Sequence, residues 1–521
     1  MKSARAVCAL LLCTVLAACG PDESVPSASP TVSDVPPPLV AAAPLPDDAV
    51  NKAVSKLDDL AADLMAKSGI PGMAVAVVHG GKTVYSKGFG VRDVRTREKV
   101  DPDTVFQLAS VSKSVGATVV ASQVTRNVVG WDTPVVSKLP GFALSDPVTT
   151  QLVTVGDLYA HRSGLPDHAG DLLEDLGYDR ASILDRLRQL PLAPLRTSYA
   201  YTNFGVTAAA EAVAAAAGTT WEDLSRMALY EPLGMTSTSS RFADFEARPN
   251  RAVGHIHLRD HYEPQYVRNP DAEAPAGGVS SSVNDLSRWL TMLLGNGTSG
   301  NVRIATAEAL LPALTPQSVS DRATEPAARS GFYGYGFNVS TTSASRMSLS
   351  HSGAFELGAN SNFVILPSAD VAIVALTNAT PAGVPETLTA QFADLVQFGE
   401  IREDWYQIYN GAYTAMEKPV GSLVGQLRPA NPAPPAALGD YAGVYDNPYY
   451  GPATVTEAGG ALMLALGPNL TVPLQHWDGN VFTFGMVTEN SPPGSISKAT
   501  FDGDALTLEY FDENHNGVFR R

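Results

Sequence analysis

The sequence predicts a mixed α/β (α+β) protein: one antiparallel sheet flanked by helices, a helical subdomain within it, and a small all-β barrel after it. Three observations predict this. A strand-and-hairpin signal opens the body of the chain at Met73 and a second closes it at Thr377. The stretch between them reads mainly as helix. Beyond residue 438 the pattern changes to short apolar runs separated by turns.

The chain has 521 residues, 45% of them hydrophobic and 17% charged, enough for a sizeable core and about three domains. Its formal net charge of −17 argues against nucleic acid as a partner, because phosphates need clustered Lys and Arg. All three cysteines, Cys8, Cys13 and Cys19, fall in the first nineteen residues. The folded body therefore has no disulfide, thiolate metal site or cysteine nucleophile.

Residues 1–18 read as a signal peptide. Lys2 and Arg5 precede the apolar run Ala6 to Ala18, which is too short for a resident membrane helix. Leu16-Ala17-Ala18-Cys19 resembles the bacterial lipobox, which implies cleavage before Cys19 and lipidation of its thiol. Gly20 follows, and a residue other than Asp there implies an outer-membrane lipoprotein facing the periplasm. Residues 19–48 then form a tether, with eight prolines between residues 20 and 48. The expected partners are thus a membrane, through this lipid anchor, and a small-molecule or short-peptide substrate. The sequence assigns no oligomeric state.

The main folded domain is expected over 49–400. Met73 to Val78 reads as a buried strand, Gly80-Gly81 as a two-residue hairpin turn, and Thr83 to Gly90 as the returning strand. Val115 to Val124, Thr207 to Ala217 and Asp285 to Leu294 read as helices. Ser361 to Leu366 and Val371 to Thr377 form the second hairpin, around Pro367-Ser368-Ala369-Asp370. A polar, aromatic helix from Glu400 to Glu417 and a linker around Arg428 to Pro435 fill 401–437. Over 438–521, Thr454-Val455-Thr456, Leu462-Met463-Leu464, Phe482-Thr483-Phe484 and Leu506-Thr507-Leu508 read as strands of a closed or nearly closed barrel.

Two serine hydrolase or protease signatures, Gly-x-Ser-x-Gly and His-Glu-x-x-His, are absent. Ser110-Val111-Ser112-Lys113 is present and opens an apolar helical run. Residues i and i+3 share a helix face, so the lysine lies beside the serine. Burial disfavours a charged amine, and a neutral one can take the hydroxyl proton. A helix N-terminus also brings backbone N–H groups to a developing oxyanion. The same spacing recurs at Ser495-Ile496-Ser497-Lys498, near Tyr445-Asp446-Asn447 and His515-Asn516-Gly517. There Pro492-Pro493-Gly494 precedes it, and a strand or turn would point the serine and lysine to opposite faces.

Around Ser110, Asp103-Thr104-Val105-Phe106-Gln107-Leu108-Ala109-Ser110-Val111-Ser112-Lys113 resembles the first motif of the serine β-lactamase and penicillin-binding-protein superfamily. The likeness is to its class C-like branch of peptidases and esterases. Leu158 to Pro166, Tyr201-Thr202-Asn203, Pro232 to Met235 and Ala276 to Ser281 match further landmarks in order. His351-Ser352-Gly353 stands where Lys-Thr-Gly occurs, in a His-x-Gly form. The C-terminal stretch, with Asp440 to Tyr445, Tyr449-Tyr450-Gly451, His476-Trp477 and Phe519-Arg520, resembles a lipocalin-like barrel appended to such hydrolases.

The resemblance implies a β-lactamase/transpeptidase-like fold and acyl transfer to Ser110, with Lys113 as proton acceptor. It implies that Tyr201 relays protons to the leaving group and that Asn203 orients the substrate amide. His351 would face a carboxylate or tetrahedral oxygen, Ser352 and Gly353 would border the substrate, and the N–H groups of Ser110 and Ala354 would form the oxyanion hole. An imidazole at position 351 is expected to titrate near its ordinary value of about 6.5. No cofactor or metal is implied. His255-Ile256-His257-Leu258-Arg259-Asp260-His261 resembles a metallo-β-lactamase motif but has one residue too many before the Asp.

Four functions stay open. The favoured one is a peptidase on D-residue-containing peptides, either cell-wall peptides or nonribosomal ones such as linearised microcystins. The others are a carboxylesterase, a β-lactamase and a weakly catalytic penicillin-binding sensor.

Overall fold

The computed structural model describes residues 44–258 and 260–521. The expected signal peptide, Cys19 and most of the tether lie outside the described residues.

The main sheet has eight strands: β1 (Gly72–His79), β2 (Lys82–Gly90), β3 (Ser318–Asp321), β4 (Gly331–Tyr333), β5 (Asn338–Thr341), β6 (Met347–Phe355), β7 (Ala359–Leu366) and β8 (Val371–Thr377). Their order is β2-β1-β8-β7-β6-β5-β4-β3, antiparallel throughout. The chain's two hairpins therefore meet as the second and third strands of the sheet, where Val77 pairs with Ile373. Gly80 and Gly81, at φ 60° and 70°, make the tight turn that side-chain-bearing residues resist.

Continuous apolar runs form β1 and β8 because both faces of these strands are covered. Ala74, Ala76, Val78, Val374 and Leu376 face one core with Val115 and Trp289. Val75, Val77, Ile373 and Ala375 face the other with Leu57, Leu64, Leu388 and Phe392. The second layer comprises α1 (Leu57–Ser68) and a later helix, Val384–Phe398. On the first side α2 (Val111–Thr125) is buried from Val111 to Gln123, beside α3 (Asn203–Ala216) and α4 (Val283–Leu294). Numbering in order, α5 is Val384–Phe398 and α6 is Trp405–Met416, within the expected 400–417 segment.

The far sheet edge, β3 to β5, is not foreshadowed by apolar alternation. These strands are short, Ser318–Asp321 and Asn338–Thr341 are mostly polar, and half of Ser318–Asp321 faces solvent.

The second sheet runs in sequence order through eight antiparallel strands, from Gly443–Tyr445 to Val518–Arg520. Its ends meet through Asp446 and Arg520, whose backbones exchange hydrogen bonds of 2.6 and 3.0 Å. The result is a nearly closed barrel with Phe482, Phe501, Leu506 and Phe519 inside. All four strands expected here are present.

Candidate active site

Ser110 caps the N-terminus of α2, and the preceding Ala109 has a φ of 47°. A non-glycine residue in that region is strained, and strain of this kind recurs where a side chain must be presented. One turn on, Lys113 is fully buried with its Nζ 3.0 Å from Ser110 Oγ. Two other oxygens complete its surroundings: Asn203 Oδ1 at 2.6 Å and the Ala276 carbonyl at 3.1 Å. Both of those only accept. A neutral amine gives its two N–H groups to them and turns its lone pair toward the serine hydroxyl. Burial pushes Lys113 down to about 8, against the opposing pull of Glu273, Asp171 and Glu174.

Tyr201 enters from the segment before α3. Its ring lies 4.5 Å from Lys113 Nζ, and Ser110 is near enough to its hydroxyl to oppose in part the effect of burial on it. Burial raises the phenol well above its ordinary value, so it stays a hydroxyl. Asn203 opens α3 with its amide engaged at both ends, because Nδ2 donates to Asp171 at 3.0 Å. Its geometry orients Lys113, and Asn203 lines the cavity with a second N–H still to give.

The strand β6 forms the opposite wall. A Cβ on Gly353 would overlap the Leu108 carbonyl and lie 3.0 Å from Ser110 N. Glycine is therefore what lets β6 approach the serine. Ser352 and Ala354 line the cavity on either side.

His351 differs from expectation. It is buried, with Nε2 2.8 Å from Tyr333 Oη and Nδ1 2.6 Å from the Ser352 carbonyl. Nδ1 therefore carries the proton and Nε2 accepts from the tyrosine. Burial and the Lys113 charge push its pKa down to about 3, not near 6.5. It stays neutral and is not among the residues lining the cavity.

The rival constellations come apart. Ser495 donates its hydroxyl to the Pro492 carbonyl at 2.7 Å and accepts from Val420 N, while Lys498 pairs with Glu509 from a strand. His255 is buried and bonded at both ring nitrogens, whereas His257 and His261 sit on an exposed hairpin.

The cavity beside Ser110 has a volume of about 830 Å³. Its outer wall comes from α6, through Tyr409, Tyr413 and Met416, and from the barrel, through Tyr449, Glu489, Asn490 and Tyr510. Barrel and body are joined by directed bonds: Gly170 N to Tyr449 Oη at 3.1 Å, Tyr178 Oη to the Tyr450 carbonyl at 2.6 Å, and Thr488 Oγ1 to Asp175 at 2.7 Å. The sequence reading also missed a buried charge cluster. Arg268 Nη2 pairs with Glu174 at 2.8 Å and Glu273 at 2.7 Å, and its Nε lies 3.6 Å from Glu489. These residues are dispersed along the chain and carry no motif.

The family model described as Beta-lactamase matches residues 57–398, and Domain of unknown function (DUF3471) matches residues 427–512. Unguisins hydrolase ungD' of Aspergillus campestris is 29% identical over 406 residues, covering 74% of each chain. The solved octameric penicillin-binding protein homologue from Pyrococcus abyssi superposes with a TM-score of 0.58 at 21% identity, over 88% of this chain and 98% of its own. A class C β-lactamase from Rhodobacter sphaeroides gives a TM-score of 0.53 at 23% identity, over 66% of this chain and 98% of its own.

Proposed function

The chain belongs to the beta-lactamase family and is a serine hydrolase, and from that premise we propose that it cleaves amide bonds in short D-residue-containing peptides through an acyl-enzyme on Ser110. One observation carries the chemistry: a buried amine 3.0 Å from a serine hydroxyl, whose other two polar contacts are oxygens that only accept.

Lys113 takes the Ser110 proton as Oγ attacks the carbonyl carbon. The N–H groups of Ser110 and Ala354 receive the oxyanion. The Tyr201 hydroxyl passes the proton to the leaving amine, which departs. Water, deprotonated along the same route, then attacks the ester and releases the acid. Gly353 keeps β6 close to the serine, Ser352 offers a hydroxyl to the substrate, and Asn203 and His351 hold Lys113 and Tyr333 in place. None of these steps calls on a cofactor or metal.

Two features favour a peptide over a smaller substrate. A cavity of about 830 Å³ has room for several residues, and a relative matched over 74% of this chain is named a hydrolase of unguisins. The test is a panel on purified protein: D-aminoacyl anilides, D-Ala-D-Ala peptides, short acyl esters and nitrocefin. The peptide reading expects kcat/KM highest on a D-residue amide. Faster ester turnover makes it a carboxylesterase, faster nitrocefin turnover a β-lactamase, and a single burst without turnover a sensor.

The protein is further proposed to be exported and anchored to the outer membrane through Cys19, facing the periplasm. Lipobox-like Leu16 to Cys19 supports this. Labelled palmitate should enter the wild type and not Cys19→Ala, and labelling of both would refute the anchor.

A further inference from the structure

The cavity wall is strongly acidic. Eight Asp or Glu residues line it, and among the described residues Arg268 is the one Arg or Lys that does so. His168 answers Asp171 at 2.8 Å, and Glu386 accepts from Tyr413 and Asn360. The remaining imbalance is concentrated around Arg268. Its guanidinium faces Glu174, Glu273 and Glu489, with the buried ring of Phe355 against it at 4.9 Å. Glu356 lies beside them, its N–H donated to Glu489 Oε1 at 2.7 Å.

One cation cannot satisfy four carboxyl groups in a confined site. Glu174 Oε1 and Glu273 Oε2 are buried and have no hydrogen-bond partner. Glu273 is only 3% exposed. These oxygens belong to residues lining the cavity that Ser110 also lines. Among the described residues no group of three His, Cys, Asp or Glu is arranged to hold a metal ion. Carboxylates spread along a wall suit a larger, hydrogen-bonding cation instead.

We propose that Glu356 and Glu489, backed by the unpartnered oxygens of Glu174 and Glu273, form a subsite for a protonated primary amine on the substrate. The ligand class is an amide or peptide with a free amino group near the scissile carbonyl. Specificity then depends on the barrel, because Glu489 stands on the barrel segment between the strands Val481–Phe484 and Ser497–Asp502. Burial pushes Glu356 up to about 7 and, against the opposing pull of Arg268, Glu489 up to about 8, so an arriving ammonium would draw both toward their charged forms.

The proposal rests on the reading of Ser110 as the nucleophile, so the test reads both. A neutral fluorophosphonate labels Ser110, and D-alaninamide or its N-acetyl derivative is added as protectant. Both protectants have the same amide, and only the first has an ammonium group. The free amine should protect at a concentration roughly tenfold to a hundredfold lower, the scale of one charge-assisted hydrogen bond. Glu489→Gln and Glu356→Gln should bring that ratio toward one. Glu457→Gln, exposed on the barrel outside the cavity, should leave it unchanged. Gln keeps an acceptor for the Glu356 N–H, and continued labelling shows that each variant is folded. A wild-type ratio near one, or a ratio that both variants retain, overturns the amine subsite and leaves the hydrolase intact. Failure to label Ser110 in wild type overturns the hydrolase reading and the subsite with it.

Discussion

Glu489 Oε1, from the barrel, accepts the backbone N–H of Glu356, one residue beyond β6, at 2.7 Å. That single bond ties the C-terminal barrel to the strand carrying His351, Ser352 and Gly353. The barrel is therefore part of the cavity wall, and a change in its loop is a change in the site. This gives the appended domain a physical role beyond packing: it walls part of the cavity that the β-lactamase-type body opens beside Ser110.

Replacing Ser110 by Ala should abolish turnover, by on the order of 10⁶ in kcat, as expected when a serine nucleophile is removed. Ser495→Ala should stay near wild type, because that hydroxyl is committed to the Pro492 carbonyl and the Val420 N–H. Mass spectrometry after fluorophosphonate labelling checks both. Label on Ser495, or on the Ser110→Ala protein, would overthrow the assignment.

Lys113 must be neutral to accept a proton, and burial pushes its pKa down to about 8. Below that pH the amine is charged and its lone pair is gone; above it the base is free. The ascending limb of kcat/KM against pH should therefore have its midpoint near 8 in an ester substrate that does not itself titrate. Lys113→Arg should lose about 10² to 10⁴ in kcat/KM at every pH, since a guanidinium stays charged. A profile flat from pH 6 to 9 would remove Lys113 from the role of base.

Much of this was legible in the sequence, and the reasons are local. Ser110 and Lys113 lie one helical turn apart, so their proximity follows from helix geometry alone. The hairpins at Gly80-Gly81 and Pro367 to Asp370 follow from turn chemistry. What could not be read depends on distant packing. The strands Ser318–Asp321 and Asn338–Thr341 are polar and gain their places from pairing with β4 and β6 rather than from their own pattern. Arg268 meets Glu174 and Glu489 across three separate stretches of chain, and each looks like an ordinary surface charge in sequence. His351 kept its place but not its expected charge, because its burial beside Tyr333 and Lys113 is visible only in the fold.

Gly353→Ala should damage both stability and rate. The added methyl would collide with the Leu108 carbonyl and crowd Ser110 N, and both are backbone, so neither can rotate away. Overpacking of this kind costs about 1–3 kcal/mol. The displaced strand would also withdraw the Ala354 N–H from the oxyanion, at a cost of about 10² to 10³ in kcat. Thermal unfolding and ester kinetics measure the two effects. An alanine variant with wild-type kcat would show that β6 need not approach Ser110 so closely.

The last prediction concerns the charge of His351. Its pKa is held down to about 3 by burial and by Lys113, with Tyr333 Oη donating to Nε2. A group with so low a pKa is neutral throughout pH 5.5 to 9, so it cannot supply a cation that fades as pH rises. The ratio of kcat/KM for an anionic substrate to that for its methyl ester should therefore show no step that His351→Gln removes. The acidic wall should itself lower that ratio as pH rises through about 7 and 8, where Glu356 and Glu489 lose their protons, and this fall should survive in His351→Gln. His351→Gln should retain an acceptor for Tyr333 and much of the activity. His351→Leu should leave the buried Tyr333 hydroxyl without its acceptor and destabilise the fold by about 1–3 kcal/mol. A wild-type ratio that falls through pH 6.5, and a Gln variant that abolishes the fall, would instead make His351 a titrating, substrate-facing group.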